Sequence, residues 1–359
     1  MSNVYEKLRE RLDMFPQGFP KTKSGVELEI LQHLFTPEEA EVMLFLRPSP
    51  EKVSMVAERM DRDETELGEI LYGMSKRGLL LRFRPSEEEI YYFLAPWMIG
   101  IWEFQLNNLT QENIRLYEKF YEEGVVPSSQ NSKTAGFRVI PIDKEIQGGT
   151  EIQPYEKVSE IIESNTRFAV AECICRKESR MVGKGCDKLL ETCMSFGPAA
   201  DFYIENGLGR EISKEEARQI LLKAEEDGLI HCSSNHSGNK TFICNCCGCC
   251  CKALANITKY NNPAVIAKSN YYAVLDEDTC NACGDCVDRC QVHAIQIEND
   301  LTIIDKDRCI GCGLCASVCS TESISLVHKT PDEASAIFLN DREMVQAMAL
   351  DKNKEYPFE

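Results

Sequence analysis

Histidine is scarce in this sequence, with five residues among 359, whereas cysteine is abundant, with nineteen. Zinc and copper sites that depend on imidazole are therefore less expected than sites made of thiolates. Long hydrophobic runs are missing too, because the most apolar stretch, YYFLAPWMIGIW at 91–102, is too short to cross a bilayer. We therefore predict a protein without a membrane span, whose metal chemistry depends on cysteine.

Positive charge is also in deficit, with 40 Lys and Arg against 58 Asp and Glu and a net charge of −18. A nucleic-acid-binding protein normally presents a basic face, so this balance argues against that function. An acidic surface fits better with solubility and with docking to a basic redox partner.

Several familiar motifs are absent. There is no GxGxxG, no Walker loop and no nucleophile–base pattern, so the sequence gives no support for a flavin, nicotinamide or ATP site. The segment MSNVYEKLRERLDMF is charged and lacks the apolar core of a signal peptide, which predicts a cytoplasmic protein. Since thiols stay reduced there, the cysteines are expected to be metal ligands rather than disulfides.

The C-terminal region contains an internal repeat in which the pattern Cys-x2-Cys-x2-Cys-x3-Cys occurs twice, 29 residues apart. The first copy is Cys280, Cys283, Cys286 and Cys290, and the second is Cys309, Cys312, Cys315 and Cys319. Three thiolates at this spacing let a tight loop wrap one corner of an iron–sulfur cube. The fourth lies beyond the loop and reaches the cluster of the other half.

This repeat resembles the bacterial two-cluster ferredoxin module. The resemblance implies two 4Fe-4S clusters with crossed ligands: Cys280, Cys283, Cys286 and Cys319 for one, and Cys309, Cys312, Cys315 and Cys290 for the other. The proline that usually follows the fourth cysteine is replaced by Gln291 and Ser320. Two zinc sites are the alternative, which is disfavoured because zinc ribbons pair two knuckles instead of repeating four-cysteine runs.

Eleven further cysteines lie between 173 and 251. Cys173 and Cys175 sit two apart in a strand-like segment, and Cys186 and Cys193 are spaced by two helical turns, so each pair is expected on one face. These four are a candidate site for another 4Fe-4S cluster or a zinc ion, with buried apolar thiols as the alternative. Cys232 is expected to be a bystander, and His231 and His236 are expected in loops.

The run ICNCCGCCC at 243–251 places six cysteines in eight positions. Cys244, Cys247 and Cys250 share the spacing of the repeated loops, so we predict that they hold part of a further 4Fe-4S cluster. Cys246, Cys249 and Cys251 remain without an assigned partner. Three ligands without a fourth would leave one iron open to substrate.

The layout of CxCR, a single cysteine, CMSFG, a helix and FICNCCGCCC resembles a group of 4Fe-4S-binding proteins from anaerobic bacteria. We expect an α+β multidomain chain with a winged-helix-like N-terminal domain, because three amphipathic helices precede a short hairpin. The third helix carries Glu64, Glu66 and Glu69, which argues against DNA contact. The expected segments are a winged-helix-like domain (1–95), a helical linker (96–167), a cysteine-rich domain (168–268), a two-cluster ferredoxin domain (269–330) and an acidic tail (331–359).

These patterns predict an iron–sulfur protein that relays low-potential electrons in anaerobic metabolism. Its partners would be redox proteins such as a flavoprotein or a ferredoxin-linked oxidoreductase, and it could itself be an electron-transfer subunit of an oxidoreductase. Two alternatives stay open: a reductase whose extra cluster has an open iron, and a redox-sensing winged-helix regulator.

Overall fold

The computed structural model describes residues 3–86, 88–130, 132–143, 153, 156–262 and 265–354. Most of the stretch 144–155 in the expected linker, which includes a loop expected around Gln147 to Gly149, and the last five residues of the expected acidic tail lie outside the described residues.

Within the described residues the fold combines helices and sheets, as the α+β expectation requires. The helices are α1 (Val4–Asp13), α2 (Val26–Leu34), α3 (Pro37–Phe45), α4 (Val53–Met60), α5 (Glu64–Lys76), α6 (Gln111–Phe120), α7 (Val126–Ser129), α8 (Val158–Glu163), α9 (Ile174–Met181), α10 (Pro198–Glu205), α11 (Lys214–Glu226), α12 (Lys252–Thr258), α13 (Asp285–Arg289) and α14 (Asp341–Asp351). None of these described helices is both long and apolar enough to cross a membrane.

The strands are β1 (Leu81–Phe83), β2 (Tyr91–Phe93), β3 (Phe137–Ile140), β4 (Phe168–Glu172), β5 (Glu191–Phe196), β6 (Gly209–Glu211), β7 (Ile230–Ser234), β8 (Phe242–Cys246), β9 (Ile266–Ala267), β10 (Tyr271–Leu275), β11 (Ile295–Glu298), β12 (Leu301–Ile304) and β13 (Ile324–His328). They form one seven-stranded sheet and three two-stranded ones.

The chain divides into two compact units, each made of segments that are not consecutive. The first contains residues 1–132, 198–210 and 345–359, and the second contains residues 133–197 and 211–344. This division differs from the five consecutive segments expected from the sequence, because the segment around α10 belongs to the first unit. All nineteen cysteines lie in the second unit.

The first unit contains the helices and the hairpin that the sequence pattern predicts. Thr36 caps α3 through a capping box with Glu39, which satisfies two backbone N–H groups at the helix start. The side chain of Asp63 caps α5 in the same region. Strands β1 and β2 then pair as an antiparallel hairpin, with Leu81 opposite Phe93. The exposed first turn of α5 carries Glu64 and Glu66, which is unfavourable for binding phosphate.

The second unit is built on a sheet in which the strands β4, β5, β8, β7, β3 and β9 lie side by side in that order. Its central strands pair antiparallel, with Met194 of β5 opposite Ile243 of β8 and Cys232 of β7 opposite Cys244. The short β9 pairs in parallel with β3, with Phe137 opposite Ile266. Strand β3 lies within the segment 96–167, which is expected to be largely helical.

The C-terminal module of the second unit contains two antiparallel pairs. β10 pairs with β13 over five residues, from Tyr271 opposite His328 to Leu275 opposite Ile324, and β11 pairs with β12. The two cysteine loops lie between these strands. This module and the central sheet share one hydrophobic core, to which Ile230 and Leu254 contribute beside Leu314 and Leu326.

Three local expectations are wrong. Strand β4 ends at Glu172, so Cys173 caps α9 and Cys175 lies within that helix. Cys193 belongs to strand β5, and Cys186 lies in the irregular segment before it, so no helix joins them. His231 lies in β7 and is buried. In each case pairing across the sheet decides the local structure.

Candidate metal centres

Set 2, consisting of Cys290, Cys309, Cys312 and Cys315, surrounds one cavity. All four line one apolar pocket, together with residues such as Ala273, Ile310, Leu314 and Leu326. Cys290 comes from the first repeat and the other three come from the second. The structure therefore brings together the crossed group that the ferredoxin resemblance implies.

Set 1, consisting of Cys280, Cys283, Cys286 and Cys319, is grouped in the corresponding way. The thiol of Cys286 interacts electrostatically with those of Cys283, Cys280 and Cys319. Cys319 thus lies with the loop of the first repeat, although it belongs to the second. Set 1 is the more accessible of the two, because Cys283 is exposed.

Both sets contain hydrogen bonds from backbone N–H groups to sulfur, which stabilise a thiolate. The amide of Ala294 donates to Sγ of Cys290 at 3.2 Å, and that of Ala282 donates to Sγ of Cys280 at 3.4 Å. The pKa of Cys319 is lowered. Burial acts to raise it, but hydrogen bonds donated by the Thr321 hydroxyl and by nearby backbone amides have the larger effect.

Set 2 is more buried than set 1, since Cys309 and Cys315 are both buried, and burial raises the pKa of Cys312 to about 12. It raises the pKa of Cys315 well above its ordinary value as well. Thiolates in such a place need a bound cation, because a charged group in an apolar site is otherwise unfavourable. The donor type, the cavity and the N–H hydrogen bonds therefore fit an iron–sulfur cluster in each set.

A third group, which we call the four-cysteine site, consists of Cys186, Cys247, Cys249 and Cys250. Their four sulfur atoms all lie within 4.8 Å of one another. The Sγ of Cys186 is 3.9 Å from that of Cys247 and 3.8 Å from that of Cys250, and the sulfurs of Cys249 and Cys250 are 3.5 Å apart. Cys249 is exposed, whereas Cys247 and Cys250 are buried.

Two close backbone contacts position this site. A Cβ on Gly248 would lie 2.0 Å from the carbonyl oxygen of Gln291, so only glycine fits between Cys247 and Cys249. The Gly248 amide also donates to the Gln291 side chain at 3.0 Å. On the other side, Nε of Arg180 donates to the carbonyl of Cys186 at 2.8 Å. Gln291 follows Cys290 and stands where the usual proline would be. Its contacts with Gly248 therefore connect the four-cysteine site to set 2.

The seven remaining thiols form a continuous series, which we call the buried thiol chain. Its members are Cys173, Cys175, Cys193, Cys232, Cys244, Cys246 and Cys251. Cys246 hydrogen-bonds the thiols of Cys232, Cys244 and Cys251. Cys244 also contacts Cys193, and Cys251 contacts Cys175, which contacts Cys173.

The buried thiol chain approaches set 2. The pKa of Cys232 is raised by burial, and the neighbouring sulfurs of Cys251 and Cys312 raise it further. Cys312 is a member of set 2, so one end of the chain reaches that set within the shared core.

The guanidinium of Arg176 lies between the four-cysteine site and the buried thiol chain, and Arg176 is fully buried. It donates to the carbonyl of Asn245 at 3.0 and 3.1 Å and to Oγ1 of Thr192 at 2.5 Å. Burial acts to lower the pKa of Arg176, but the sulfurs of Cys173, Cys247 and Cys246 outweigh it and raise that pKa. The cation thus faces thiols of both groups.

The grouping of the middle cysteines differs from the predicted one. Cys247 and Cys250 lie together as expected, but their neighbours are Cys186 and Cys249, while Cys244 belongs to the buried thiol chain. The predicted group of four cysteines is also divided. Cys173, Cys175 and Cys193 belong to the buried thiol chain, whereas Cys186 belongs to the four-cysteine site.

Sequence reasoning did not assign Cys249 a ligand role, and it treated Cys232 as a bystander. The CCGCC pattern indicates a ligand role for Cys249. A glycine between two cysteine pairs is typical of a tight turn, in which several thiols lie on one side. Neither histidine in this region joins a thiol group. Nδ1 of His231 contacts Oδ1 of Asn245 at 2.6 Å, and Nε2 of His236 contacts Oγ of Ser234 at 2.8 Å.

Comparison with known proteins agrees with the geometry of sets 1 and 2. The family model of the 4Fe-4S binding domain matches residues 273–296 and 302–325, as two tandem repeats. Neither the curated proteins nor the solved structures gave a significant match. The two matched repeats imply two 4Fe-4S clusters, which confirms that prediction, and they support a general role in iron–sulfur electron transfer and contact with redox partners.

Proposed function

We propose that this protein is a cytoplasmic iron–sulfur electron carrier that relays low-potential electrons between partner proteins in anaerobic metabolism. The observation that carries the proposal is the crossed grouping of eight cysteines into sets 1 and 2. The clusters supply one-electron redox chemistry at potentials that the surrounding protein adjusts. The chain binds each cluster through four thiolates and keeps water away from set 2.

Set 1 is the proposed site of electron exchange with a partner. Cys283 is exposed, and its Sγ lies 3.5 Å from Oδ2 of Asp285. Five exposed acidic residues surround this set: Asp276, Glu277, Asp278, Asp285 and Asp288. Their negative charge disfavours the added electron, which lowers the potential, and it attracts a partner with a basic docking face.

The region 168–255 is proposed to hold further iron in the buried thiol chain, which continues the route from set 2. The shared core supports this, because Cys232 is buried in it and Cys312 of set 2 packs against it. The cation of Arg176 supports it as well, since an anionic cluster in a buried site needs a nearby positive charge.

Iron and acid-labile sulfide analysis of anaerobically purified protein tests the proposal. Sets 1 and 2 alone give about eight iron and eight sulfide ions per chain, four of each per cluster. A cluster in the buried thiol chain adds about four of each. A result near eight with only two EPR signals would remove the extension, and an absence of sulfide would overturn the electron-carrier function itself.

Docking at set 1 has its own test. Substituting Asp285→Asn and Asp288→Asn together should raise the potential of one cluster and weaken the salt dependence of electron transfer to a basic acceptor. Asp305→Asn and Asp307→Asn, in the second repeat, serve as the matched control. Equal effects of the two pairs would contradict a port at set 1.

A further inference from the structure

The four-cysteine site differs in size from sets 1 and 2, and this difference identifies the kind of metal centre that it suits. In a four-iron cube each thiolate binds a separate iron, so the four sulfurs stand apart. In sets 1 and 2 the sulfurs are spread in this way, because neither set has its ligand atoms all within 4.8 Å of one another. Among the described residues, only the four-cysteine site has three or more ligand atoms all within 4.8 Å of one another.

A single metal ion requires much closer sulfurs. A tetrahedral ion with metal–sulfur bonds of about 2.3 Å places its ligands about 3.8 Å apart. Three of the six sulfur separations in the site are 3.9, 3.8 and 3.5 Å, and all six are within 4.8 Å. They are too long for a disulfide, whose sulfurs are about 2.05 Å apart.

We propose that Cys186, Cys247, Cys249 and Cys250 bind one metal ion, Zn²⁺ or iron, in tetrahedral four-thiolate coordination. The site goes beyond the electron-carrier function, because a single ion here joins two parts of the fold. Cys186 lies in the segment after α9, and the other three ligands lie in the turn after β8. These segments are 61 residues apart in the chain.

The surroundings suit an anionic centre of this size. Four thiolates and a divalent ion carry a net charge of −2, and the buried guanidinium of Arg176 lies beside Cys247. Cys249 is exposed, which leaves the ion a path from solvent. Ala224 and Leu229 pack against Cys247 and Cys250 on the inner side.

The ion also affects the neighbouring repeat. Gly248 lies between two of the proposed ligands, and it contacts Gln291, which follows Cys290 of set 2. Fixing the turn at 247–250 therefore fixes the backbone that presents Cys290. The proposed ion is a positioning element for set 2 as well as a link within the sheet.

Total metal and acid-labile sulfide, measured on the same anaerobic preparation, test the site directly. Each cube contributes equal amounts of iron and sulfide, so a single ion appears as one metal per chain in excess of sulfide. Elemental analysis then identifies the ion, because the excess metal is either zinc or iron. Equal amounts of metal and sulfide would overturn the proposal, and would indicate thiols packed without metal or a cube at this site.

Substitution with Co²⁺ gives a second readout in the full-length protein. Protein produced with Co²⁺ should show the visible bands of tetrahedral cobalt–thiolate coordination. Cys249→Ser, at an exposed position that tolerates change, should remove or shift these bands and eliminate the excess metal. Glu191→Gln, at an exposed position in strand β5 and outside every thiol group, should leave the bands unchanged. Loss of iron and sulfide in equal amounts from Cys249→Ser would instead show a cube, while failure of the electron-carrier function leaves the cobalt bands unaffected.

Discussion

Arg176 is the largest fully buried side chain among the described residues. The ionisable groups that act on its guanidinium are the thiols of Cys173, Cys246 and Cys247. A guanidinium in such a place is unfavourable unless anionic groups compensate for its lost hydration. The sulfurs of Cys247 on one side and of Cys173 and Cys246 on the other can do so once they are thiolates. The arginine and the metal centres are therefore expected to stabilise each other.

Replacing Arg176 with Gln tests this dependence. Removing one partner of a buried charge pair costs about 3–5 kcal/mol, so we expect a loss of stability of that order in the metal-loaded protein. The matched control is Lys177→Gln on the same helix, where an exposed pair with Glu172 at 2.7 Å should contribute less than about 1 kcal/mol. Anaerobic denaturant unfolding measures both. A loss for Arg176→Gln no larger than for Lys177→Gln would show that the thiols carry no negative charge.

Gly248 gives a second prediction at the scale of one residue. The methyl group of Gly248→Ala would lie 2.0 Å from the Gln291 carbonyl oxygen, so the backbone must move, at a cost of about 1–3 kcal/mol. Gly73→Ala in α5 meets no atom within 4 Å and should stabilise by about 0.5–1 kcal/mol. Unfolding monitored by circular dichroism compares them. Similar stability changes in the two variants would contradict the close approach of the two segments.

At the scale of elements, the pairing of β10 with β13 explains how ligands from different repeats meet. The pairing aligns the start of the first repeat with the end of the second, with Leu275 opposite Ile324. Cys280 and Cys319 lie a few residues beyond that point, and both belong to set 1. A two-stranded sheet thus determines which cysteine completes which cluster.

Serine substitutions of the fourth cysteines test the crossed arrangement. Cys319→Ser should change the EPR signal and potential of the same cluster as Cys280→Ser, because both belong to set 1. Cys290→Ser should match Cys309→Ser in the same way. If Cys319→Ser altered the cluster that Cys309→Ser alters, each repeat would bind its own cluster and the crossing would be wrong.

The elements also show where sequence patterns mislead. A spacing of seven between Cys186 and Cys193 suits one face of a helix, yet β5 forms because its residues pair with β4 on one side and with β8 on the other. Helix starts depend on residues only a few positions apart, which makes them a local property of the sequence. The side chain of Ser213, for example, caps α11 by accepting a hydrogen bond from the Glu216 amide.

At the scale of the whole molecule, the cysteines divide unequally between the two compact units. The second unit contains all nineteen, and its main core includes Cys232, Cys246, Cys286 and Cys309 among the buried residues. The first unit has a core of ordinary hydrophobic side chains such as Leu31 and Phe120. Metal binding should therefore contribute to the folding of one unit and not of the other.

Removing the metals and sulfide tests this asymmetry. We expect the second unit to lose most of its protection from hydrogen exchange, while the first unit keeps its protection. Hydrogen exchange read by mass spectrometry resolves the two, with peptides from α1 to α5 for the first unit and from β7 to β8 for the second. Reconstitution with iron and sulfide should restore protection in the second unit. An equal loss of protection in both units would contradict the expectation that the core of the first unit is stable without metal.

The sequence by itself determined the two repeated ligand loops, because three thiolates at fixed short spacing are a local property of the chain. It also predicts metal binding by the middle cysteines, and its net charge of −18 argues against a nucleic-acid-binding function; these stay predictions. Only the tertiary structure decided which middle thiols meet. Cys186 and Cys247 lie 61 residues apart, and Cys244 in strand β8 lies with Cys193 and Cys246 instead of with Cys247 and Cys250. Such contacts depend on strand order and register, and local spacing cannot specify them.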